Sequence, residues 1–581
     1  MRPKHRPAAV AALPAAATLV LSACGAGASA GGGGFDDCED RPVTCNSGER
    51  ADGGEITWAI DGSWAGWNLS VAADNSAYLN SALAGVRPFE GQFDQEGRWQ
   101  FNDGLLSADP ELVSEDPVQV AYELNPDATW GDGTRIGVDD FVYHWYARSG
   151  DESLCAGCTP ATTSYGSAVA SIDANGSTVT VTYDDGYSSA EWRYEQVLSH
   201  PAHIAEDAGF DWREDPEAMK ASQDHFSETV PTWTAGPYRI TDAELGQFVI
   251  YEPNPEWAGS AEVTLDRITL ESFDSVDSII TEMRQGTVDG ASPVAIGAEH
   301  ISQLQSADGI DFAVAPGPGW EHIDLNTDNE FLSDPALRTA VFQAIDVENI
   351  IDRTYANVQT DAQRKRNHLF RGESEYFVDK LSATGQGIGD IELARRTLDA
   401  AGYSWDADNR LRTPDDEPVT LSYGYTESRA DRAVVAQLVQ ANLADLGVEI
   451  ELDPFSSADL GPTLFEGRFD IVAFGWSTSP TFVGGASQYW SSSSSSNFGG
   501  LDDEALDEIL DRLNGTLDID TAAEIANEAV AQVIGDAYVL PVIDTPVAVM
   551  ASDELVNVRD NWASQERALY NIAEWGVRTD E

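Results

Sequence analysis

The hydrophobic pattern of the chain changes at about residue 334, and this change restricts the folds open to it. Before that point the recognisable runs are strand-like, with apolar and polar residues alternating at 55–60, 118–122, 178–182 and 248–251. After it, predicted helices alternate with predicted strands. The helices are 392–401, 432–446, 501–513 and 521–534, and the strands are 419–425, 448–452, 470–474 and 538–543. This alternation predicts an α/β lobe with a partly parallel sheet.

The first helix after the change has a well-defined start. Asp334 precedes Pro335, which is typical of an N-cap followed by proline at the first helical position. The apolar residues that follow recur at helical spacing, and they are Leu337, Ala340, Val341, Ala344 and Ile345. Arg338 projects from this helix, and we expect it to pair with an acidic side chain.

The first 24 residues are typical of an export signal. Three basic residues stand among the first six, an alanine-rich apolar stretch follows from Ala8, and small residues precede Cys24. The apolar stretch is too short to span a bilayer, which needs roughly 20 residues. Residues 21–24, Leu-Ser-Ala-Cys, resemble a bacterial lipobox, which implies cleavage after residue 23 and a lipid on the Cys24 sulfur. The alternative is a secreted protein whose cysteine carries no lipid.

Residues 24–54 are rich in glycine, serine and aspartate and offer little to bury. We therefore expect a flexible spacer between the lipid and the folded body. The body is long enough for more than one globular unit. No later apolar run has the length of a transmembrane helix, so the predicted location is the outer face of the cell membrane, held by the lipid.

The chain is strongly acidic. It has 99 Asp plus Glu against 33 Lys plus Arg, a formal net charge of −66. Such a surface repels nucleic acid and anionic lipid headgroups, so nucleic-acid binding is excluded as a function. The charge could serve cation binding or could form a solvated coat suited to high salt. Since the acidic residues are spread along the whole chain, the solvated coat is favoured.

Five cysteines are present, and four remain if Cys24 carries a lipid. An even number in an exported protein predicts two disulfides, with three possible pairings. Spacing favours Cys38 with Cys45 and Cys155 with Cys158. The second pair, Cys-Ala-Gly-Cys, could instead be a redox or zinc motif, although the chain has no second pair or histidine cluster at zinc-finger spacing.

Seven short blocks, in a fixed order between about Glu55 and Ile572, resemble a known family. They are Leu-Asn-Pro-Asp-Ala-Thr-Trp-Gly-Asp-Gly-Thr at 124–134 with Val-Asp-Asp-Phe-Val at 138–142, Ala-Gly-Pro-Tyr at 235–238, Asn-Pro-Glu-Trp at 254–257, Met-Arg-Gln-Gly-Thr-Val-Asp at 283–289, Asn-Thr at 326–327 with the helix from 334, Ala-Gly-Tyr at 401–403 and Phe-Gly-Trp at 474–476. Together they resemble family 5 of the extracytoplasmic solute-binding proteins of ABC importers, the peptide/nickel class, in its actinobacterial lipoprotein form. Arg135 and Val138 stand where the family usually has Pro and Ala.

The resemblance implies a periplasmic-binding-protein-like α/β fold of type II. Two lobes are joined by two crossing strands, and an extra subdomain is added to the first. The expected boundaries are 55–74, 231–314 and 546–581 for lobe I, 75–230 for the extra subdomain and 315–545 for lobe II. A solute is expected in the cleft between the lobes, where hinge closure buries it.

The resemblance also suggests where a solute is bound. Trp476 matches a tryptophan that lines the cleft of peptide binders. Further candidates are Asn75, Tyr78, Trp320, His322, Tyr425, Ser479 and Asn497. For each of these a core or surface role is the alternative, because aromatic and polar residues at such positions usually serve the fold.

Two positions depart from the family's peptide-binding pattern. Peptide binders carry an Asp three residues after the tryptophan, and it pairs with the free amino group of the peptide. Here that position is Ser479, and Ala473 stands where oligopeptide binders can carry Arg. A neutral hydroxyl cannot supply the charge-assisted hydrogen bond that a buried ammonium needs. We therefore expect poor discrimination for a free α-amino group and a neutral or capped ligand.

No enzyme or metal motif is complete. Gly62-Ser-Trp-Ala-Gly66 lacks the spacing of a nucleophile elbow, and no phosphate-binding Gly-x-x-x-x-Gly-Lys is present. Residues 406–409 predict a hairpin turn rather than a calcium loop. The chain has only eight histidines, so we expect no metal site, no cofactor and no catalytic residue.

The sequence therefore predicts a monomeric, lipid-anchored receptor that delivers a peptide or peptide-like solute to the permease subunits of an ABC importer. Two alternatives use the same fold. One is a cell-envelope lipoprotein acting in glycolipid or envelope assembly. The other is an oligosaccharide receptor, in which Trp and Tyr faces stack on sugar rings.

Overall fold

The computed structural model describes residues 34–38, 40–427, 429–456, 459–477 and 479–579. The predicted export signal and the predicted lipid site at Cys24 lie outside these residues. Within them, no helix is both long enough and apolar enough to cross a membrane.

Twenty strands form in this part of the chain. They are β1 Glu55–Ile60, β2 Gly91–Phe93, β3 Trp99–Phe101, β4 Glu111–Glu115, β5 Val118–Glu123, β6 Val169–Asn175, β7 Thr178–Tyr183, β8 Tyr238–Glu244, β9 Phe248–Pro253, β10 Arg267–Ser272, β11 Gly290–Ala291, β12 Ile310–Leu325, β13 Ser404–Trp405, β14 Leu411–Arg412, β15 Thr420–Thr426, β16 Glu449–Phe455, β17 Ile471–Ser477, β18 Val539–Ser552, β19 Leu555–Val556 and β20 Gly576–Val577.

Fourteen α-helices lie among the same residues. They are α1 Ala77–Leu83, α2 Val138–Arg148, α3 Ala202–Asp207, α4 Pro216–Glu228, α5 Val276–Gln285, α6 Ala298–Leu304, α7 Pro335–Ala344, α8 Val347–Thr354, α9 Ile391–Ala400, α10 Ala430–Leu446, α11 Leu460–Phe465, α12 Val483–Trp490, α13 Glu504–Asn514 and α14 Ile519–Gly535.

A ten-stranded sheet runs through the molecule in the order β16-β15-β17-β12-β18-β11-β1-β10-β9-β8. Its pairs β15–β16 and β15–β17 are parallel, as the alternation of helices and strands after residue 334 predicts. The pairs β1–β10 and β1–β11, for which the sequence pattern makes no such prediction, are parallel as well. The long strands β12 and β18 are antiparallel and lie at the centre. β12 begins opposite Ser552 and ends between β17 and Val539, so the two strands pass together from one half of the sheet to the other.

The pairing of these crossing strands is irregular at their middle. The register of β12 against β18 shifts between Pro316 and Trp320, within the sequence Pro-Gly-Pro-Gly. Proline in a sheet is tolerated at such irregularities because the regular ladder of hydrogen bonds is interrupted there. A Cβ on Gly317 would lie 2.8 Å from the Thr545 carbonyl oxygen, so this close approach of the two backbones requires glycine.

Separate hydrophobic cores lie on the two halves of the sheet. The first-lobe core gathers β1, β8–β10, helix α1 and the chain's last structured segment, with Trp58, Tyr251 and Trp575 buried at its centre. The second-lobe cores lie under helices α7–α10 and α12–α14. Because α1 packs into the first-lobe core, the extra subdomain's own core begins later than residue 75, the boundary expected from the resemblance.

The extra subdomain is built on a four-stranded sheet of order β4-β5-β7-β6. Its core packs this sheet against α2 and α4 through large aromatic side chains, among them Trp130, Phe141 and Trp212. Within the loop 187–196, Trp192 belongs to this core, whereas Ala190 is buried in a second-lobe core.

Residues 34–38 and 40–54 differ from the expected flexible spacer, because the structure folds them onto the first lobe. Phe35 and Cys45 are buried. The Asn46 side-chain amide donates to the Val558 carbonyl at 3.0 Å, and Arg559 Nε donates to the Cys45 carbonyl at 2.8 Å. Composition predicted little to bury here, but a few apolar residues and backbone groups find partners in a segment some 500 residues away.

Helix α7 starts as predicted, with the Asp334 side chain accepting from Ala336 N and Pro335 in the first turn. The expected ion pair of Arg338 is wrong. Its Nε donates to the Asp536 carbonyl at 2.8 Å, and its Nη1 donates to the carbonyls of Leu332 and Ser333 at 2.8 and 3.2 Å. A guanidinium directed at exposed carbonyls of neighbouring turns satisfies those acceptors without a carboxylate.

Glu90 has a buried carboxylate that should make stability depend on pH. It accepts from Val197 N at 2.9 Å, and burial raises its pKa to about 7, although that hydrogen bond and Arg87 act in the opposite direction. Since the pKa is raised in the folded state, the folded protein holds a proton here that the unfolded chain has lost. Its contribution to stability is therefore lost as the pH rises from about 5 to 8.

We expect Glu90→Gln to gain stability relative to the parent as the pH rises over that window, because glutamine keeps the acceptor but does not ionise. The difference in free energy of unfolding should grow by up to about 3 kcal/mol between pH 5 and pH 8. Denaturant unfolding at four pH values measures it. The exposed Glu111→Gln serves as the control and should show no such trend. A pH-independent difference for Glu90→Gln would contradict the argument.

Candidate functional site

A cavity of about 720 Å³ lies beside the crossing strands. From the first lobe it is lined by residues 312–316, Val549 and Trp562, and from the second lobe by residues of the segment 359–377 with Ile543 and Asp544. Both lobes and both crossing strands thus contribute to one cavity. This is the arrangement in which a solute is enclosed by a hinge movement.

Three buried cationic side chains form part of the second-lobe wall. Lys365 lies with its Nζ 2.7 Å from Asp544 Oδ1. Arg371 donates from Nη1 and Nη2 to the carbonyls of Gly317 and Pro316, at 2.8 and 3.2 Å. Arg364 donates from Nη2 to the Gln386 carbonyl at 2.5 Å and, among the described residues, makes no ion pair. Burial lowers the pKa of Arg364 to about 10 and also lowers the pKa of Lys365.

Five acidic residues border the same cavity, and they are Asp36, Asp361, Glu373, Asp544 and Asp560. Asp544 is paired with Lys365, and both oxygens of Asp560 accept from Arg567 at 2.7 Å. The other three are exposed, and Glu373 lies 3.8 Å from Arg371 Nε. The inner wall therefore carries more buried positive charge than its own carboxylates neutralise.

Trp476 lies at the carboxyl end of β17, which is where ligands bind in open α/β sheets. Its ring is half-buried, stacks parallel to Phe498 at 5.7 Å and lies 4.9 Å from Tyr489. Ser479 follows at the surface, with its hydroxyl 2.7 Å from that of Thr481. These residues form an aromatic group with a polar edge at the end of β17.

Trp320 and His322 are placed in the interior. Trp320 is 1% exposed and lies between the His322 ring at 4.4 Å and the Lys365 ammonium, 5.6 Å from the ring centre. His322 is also buried, with Nδ1 2.5 Å from Asp324 Oδ1. In this structure both side chains support the wall that carries Lys365.

The remaining candidates are spread over both lobes. The Asn497 side chain donates to the Leu501 carbonyl at 2.8 Å and accepts from the Tyr538 hydroxyl at 2.6 Å, so it is engaged in its own loop. Tyr78 and Tyr425 are half-buried, and Asn75 is exposed. Burial, with a smaller effect of Asp61, raises the pKa of Tyr78. The described residues that border the 720 Å³ cavity include none of the eight sequence candidates.

The structure joins Cys38 to Cys45 and Cys155 to Cys158 in disulfides. The first of these borders the cavity. Asp37, Cys38 and Cys45 form the one group of three potential metal ligands within the described residues, and its two sulfurs are bonded to each other.

The loop 187–196 of the extra subdomain contacts the second lobe directly. The Glu191 carboxylate accepts from Phe482 N and Val483 N at 2.5 and 2.9 Å, at the start of helix α12. Trp192 Nε1 donates to the Leu517 carbonyl at 3.3 Å. Burial raises the pKa of Glu191, and the backbone N–H groups of α12 lower it. A hinge movement that separates the extra subdomain from the second lobe would break these contacts.

Sequence reasoning missed Glu191 and the three buried cationic side chains of the cavity wall, Arg364, Lys365 and Arg371, here called the cationic wall. A signal for the wall was present, since residues 364–371 contain four basic residues in a chain that has only 33. Glu191 gave no comparable signal, because one acid among 99 is not distinguished until its partner on another lobe is known.

Comparison with known proteins identifies the scaffold. The family model of the bacterial extracellular solute-binding proteins, family 5 (middle), matches residues 104–498. The chain belongs to this family. The predicted family and the predicted two-lobed α/β fold are therefore confirmed.

Two relatives from Mycobacterium tuberculosis differ in how much of this family 5 protein they match. The oligopeptide-binding protein OppA of Mycobacterium tuberculosis is 26% identical over 516 residues, which cover 87% of this chain and 82% of the relative. The protein LpqW of M. tuberculosis, described as a probable monoacyl phosphatidylinositol tetramannoside-binding protein, is 23% identical over 304 residues, or 51% of this chain and 44% of the relative.

Two solved structures illustrate the range of ligands on this fold. The periplasmic EDTA-binding protein EppA superposes with a TM-score of 0.81 and 28% identity, covering 93% of this chain and 99% of its own. The oligopeptide-binding protein AppA of Bacillus subtilis, in complex with a nonapeptide, has a TM-score of 0.65 at 15% identity, covering 91% and 100%. The second likeness bears on the fold alone.

Proposed function

We propose that this family 5 protein is a lipid-anchored extracytoplasmic receptor that closes its two lobes over a small solute and delivers it to an ABC importer. The observation that carries the proposal is the cavity beside the crossing strands, lined from both lobes. A peptide-like solute is supported by the match with OppA over most of the chain. The likeness to EppA supports a small chelating anion as a second class of solute.

An envelope-assembly role is the alternative, and the match with LpqW over half of the chain favours it. The two roles predict different bound molecules. An importer's receptor should hold a small polar solute, whereas an assembly factor should hold a lipid-linked sugar with acyl chains.

Native mass spectrometry of protein purified from its own host tests the proposal. We expect a monomer with one small solute at a one-to-one ratio, released when the protein is denatured. Uptake of that solute should be lost in cells that lack the protein. A co-purified glycolipid with unchanged solute uptake would support the envelope role and contradict import.

The lipid anchor gives a prediction of its own. We expect Cys24→Ala to move the protein from the membrane fraction into the medium, because the acceptor of the lipid is removed. Immunoblots of the two fractions measure this, with Ser22→Ala as the control. Unchanged membrane retention of Cys24→Ala would contradict the anchor.

For a peptide-like solute, we also propose that Trp476, which lies outside the lining of the cavity, contacts the solute. Trp476→Ala should weaken binding by roughly 1–3 kcal/mol, the value expected for losing the burial of a large side chain. Calorimetry with the co-purified solute and with matched free and N-acetylated peptides measures it. Trp405→Ala, in the β13–β14 pair and outside the lining of the cavity, is the control. Tight binding of only the free peptide would contradict the inference drawn from Ser479.

A further inference from the structure

The basic residues of this chain are scarce, and an unusual share of them lies at one place. Four of the 33 fall within residues 364–371, and three of these, Arg364, Lys365 and Arg371, are buried at the 720 Å³ cavity. Burying a cation is costly unless a carboxylate or hydrogen-bond acceptors compensate it. The three buried cations of this wall, in a chain of net charge −66, therefore need acidic or hydrogen-bond-accepting groups in contact with them.

The partners within the protein are incomplete. Lys365 is compensated by Asp544 at 2.7 Å. Arg371 has two main-chain carbonyls and, at 3.8 Å, the exposed Glu373. Arg364 has one main-chain carbonyl and, within the described part of the chain, no carboxylate in ion-pair contact.

The other acidic residues of the cavity do not compensate these two arginines. Both oxygens of Asp560 are used by Arg567, while Asp36 and Asp361 are exposed to solvent. Solvent screens exposed charges, so they contribute little to balancing a buried one. Outside the cavity, Glu348, Asp379 and Asp346 attract Arg364 electrostatically, but none of them forms an ion pair with it in the described part of the chain. Both buried guanidinium groups can therefore still accept a carboxylate in direct contact.

Arg371 also links the two lobes. It is anchored to the carbonyls of Pro316 and Gly317 on the crossing strand, and its guanidinium lies 4.2 Å from the ring centre of Trp562 on the first lobe. Its position is therefore fixed by contacts with both lobes. A ligand group bound to it is held where closure takes place.

We propose that the solute is an organic anion with at least two carboxylate groups, bound in this cavity by Arg364 and Arg371. The planar guanidinium matches a carboxylate with two parallel hydrogen bonds, and the cavity volume is within the range of small-molecule sites, about 300–1,000 Å³. This inference rests on the proposed receptor function and names its substrate class. It replaces the neutral or capped ligand expected from Ser479 and Ala473, because the charge partners lie on a different segment.

Calorimetry with citrate and glutarate tests the proposal, with triethyl citrate as the uncharged analogue. We expect the acids to bind and the triester not to bind. Arg364→Gln and Arg371→Gln should each weaken citrate binding at least tenfold, while the exposed Arg353→Gln on α8 should stay within twofold of the parent. The affinity of the parent should fall between 20 and 300 mM NaCl, and less steeply in the two variants.

The salt dependence separates ligand contact from a structural role, since a variant that only loosened the wall would keep the parent's slope. If Arg371→Gln does not fold, citrate binding and its salt dependence are measured with Arg364→Gln and Arg371→Lys instead. Failure of both acids to bind, or unchanged affinity in the arginine variants, would overturn the proposal. An uncharged solute found by native mass spectrometry would overturn it and leave the receptor function intact, whereas absence of any bound small solute would overturn both.

Discussion

Replacing Glu191 with alanine is expected to weaken solute binding about tenfold or more. The Glu191 carboxylate of the extra subdomain accepts from two N–H groups of the second lobe, at 2.5 and 2.9 Å. Opening of the lobes breaks these bonds, so they stabilise the closed state relative to the open one. Hydrogen bonds to a charged group contribute about 1.5–3 kcal/mol each, and the helix N-terminus adds to the attraction. In the open state the Glu191 carboxylate bonds to water instead, which recovers part of this free energy. We therefore expect the affinity for the solute to fall by about one order of magnitude.

The measurement is calorimetry with the co-purified solute, together with small-angle X-ray scattering of the solute-free protein. The Glu191→Ala variant should show a larger radius of gyration than the parent, because its population shifts towards the open state. Glu191→Gln keeps an acceptor without the charge and should lie between. Asp185→Ala, an exposed acid on the same subdomain, is the matched control. Parent-like affinity and scattering for Glu191→Ala would show that this contact does not contribute to closure.

Replacing Arg432 with leucine is expected to lower the free energy of unfolding by about 3 kcal/mol. Arg432 and Glu321 form a buried, two-contact ion pair beneath β17, with distances of 2.8 and 3.1 Å. Losing one partner leaves the other charge buried, which typically costs 3–5 kcal/mol. The lower value applies because Arg429 Nη2, 3.5 Å from the same Glu321 oxygen, remains as a weaker partner.

The double variant Glu321→Leu with Arg432→Leu shows whether the uncompensated charge or lost packing causes the loss of stability. Because an apolar pair leaves no buried charge, its stability should return to within about 1 kcal/mol of the parent. Thermal and urea unfolding of parent, single and double variants measure the effect. If the double variant were as unstable as the single one, lost packing rather than the uncompensated charge would be the cause.

Local elements of the second lobe were predictable because their signals are short-range. Helix α9 runs within one residue of its predicted range and ends before Gly402, whose φ is +90°. Helix α10 likewise ends before Gly447, with φ of +98°. An N-cap, a periodic apolar face and a glycine in the left-handed region are all set by neighbouring residues. The topology was predicted separately, from the family that the order of the seven sequence blocks resembles.

The sequence by itself therefore determined the elements, the α/β class and the family, since these depend on local patterns and on blocks that stay in order. The partners of charged side chains were decided by the tertiary structure alone. Arg338 donates to main-chain carbonyls, Glu191 accepts from the backbone of another lobe, and Arg364 is buried with no carboxylate in ion-pair contact within the described residues. Such partners lie up to hundreds of residues apart in sequence. Burial decides whether solvent screens their charges or whether the charges interact strongly. Which solute chemistry the cleft favours is thus a property of the folded chain, carried by side chains that no local pattern brings together.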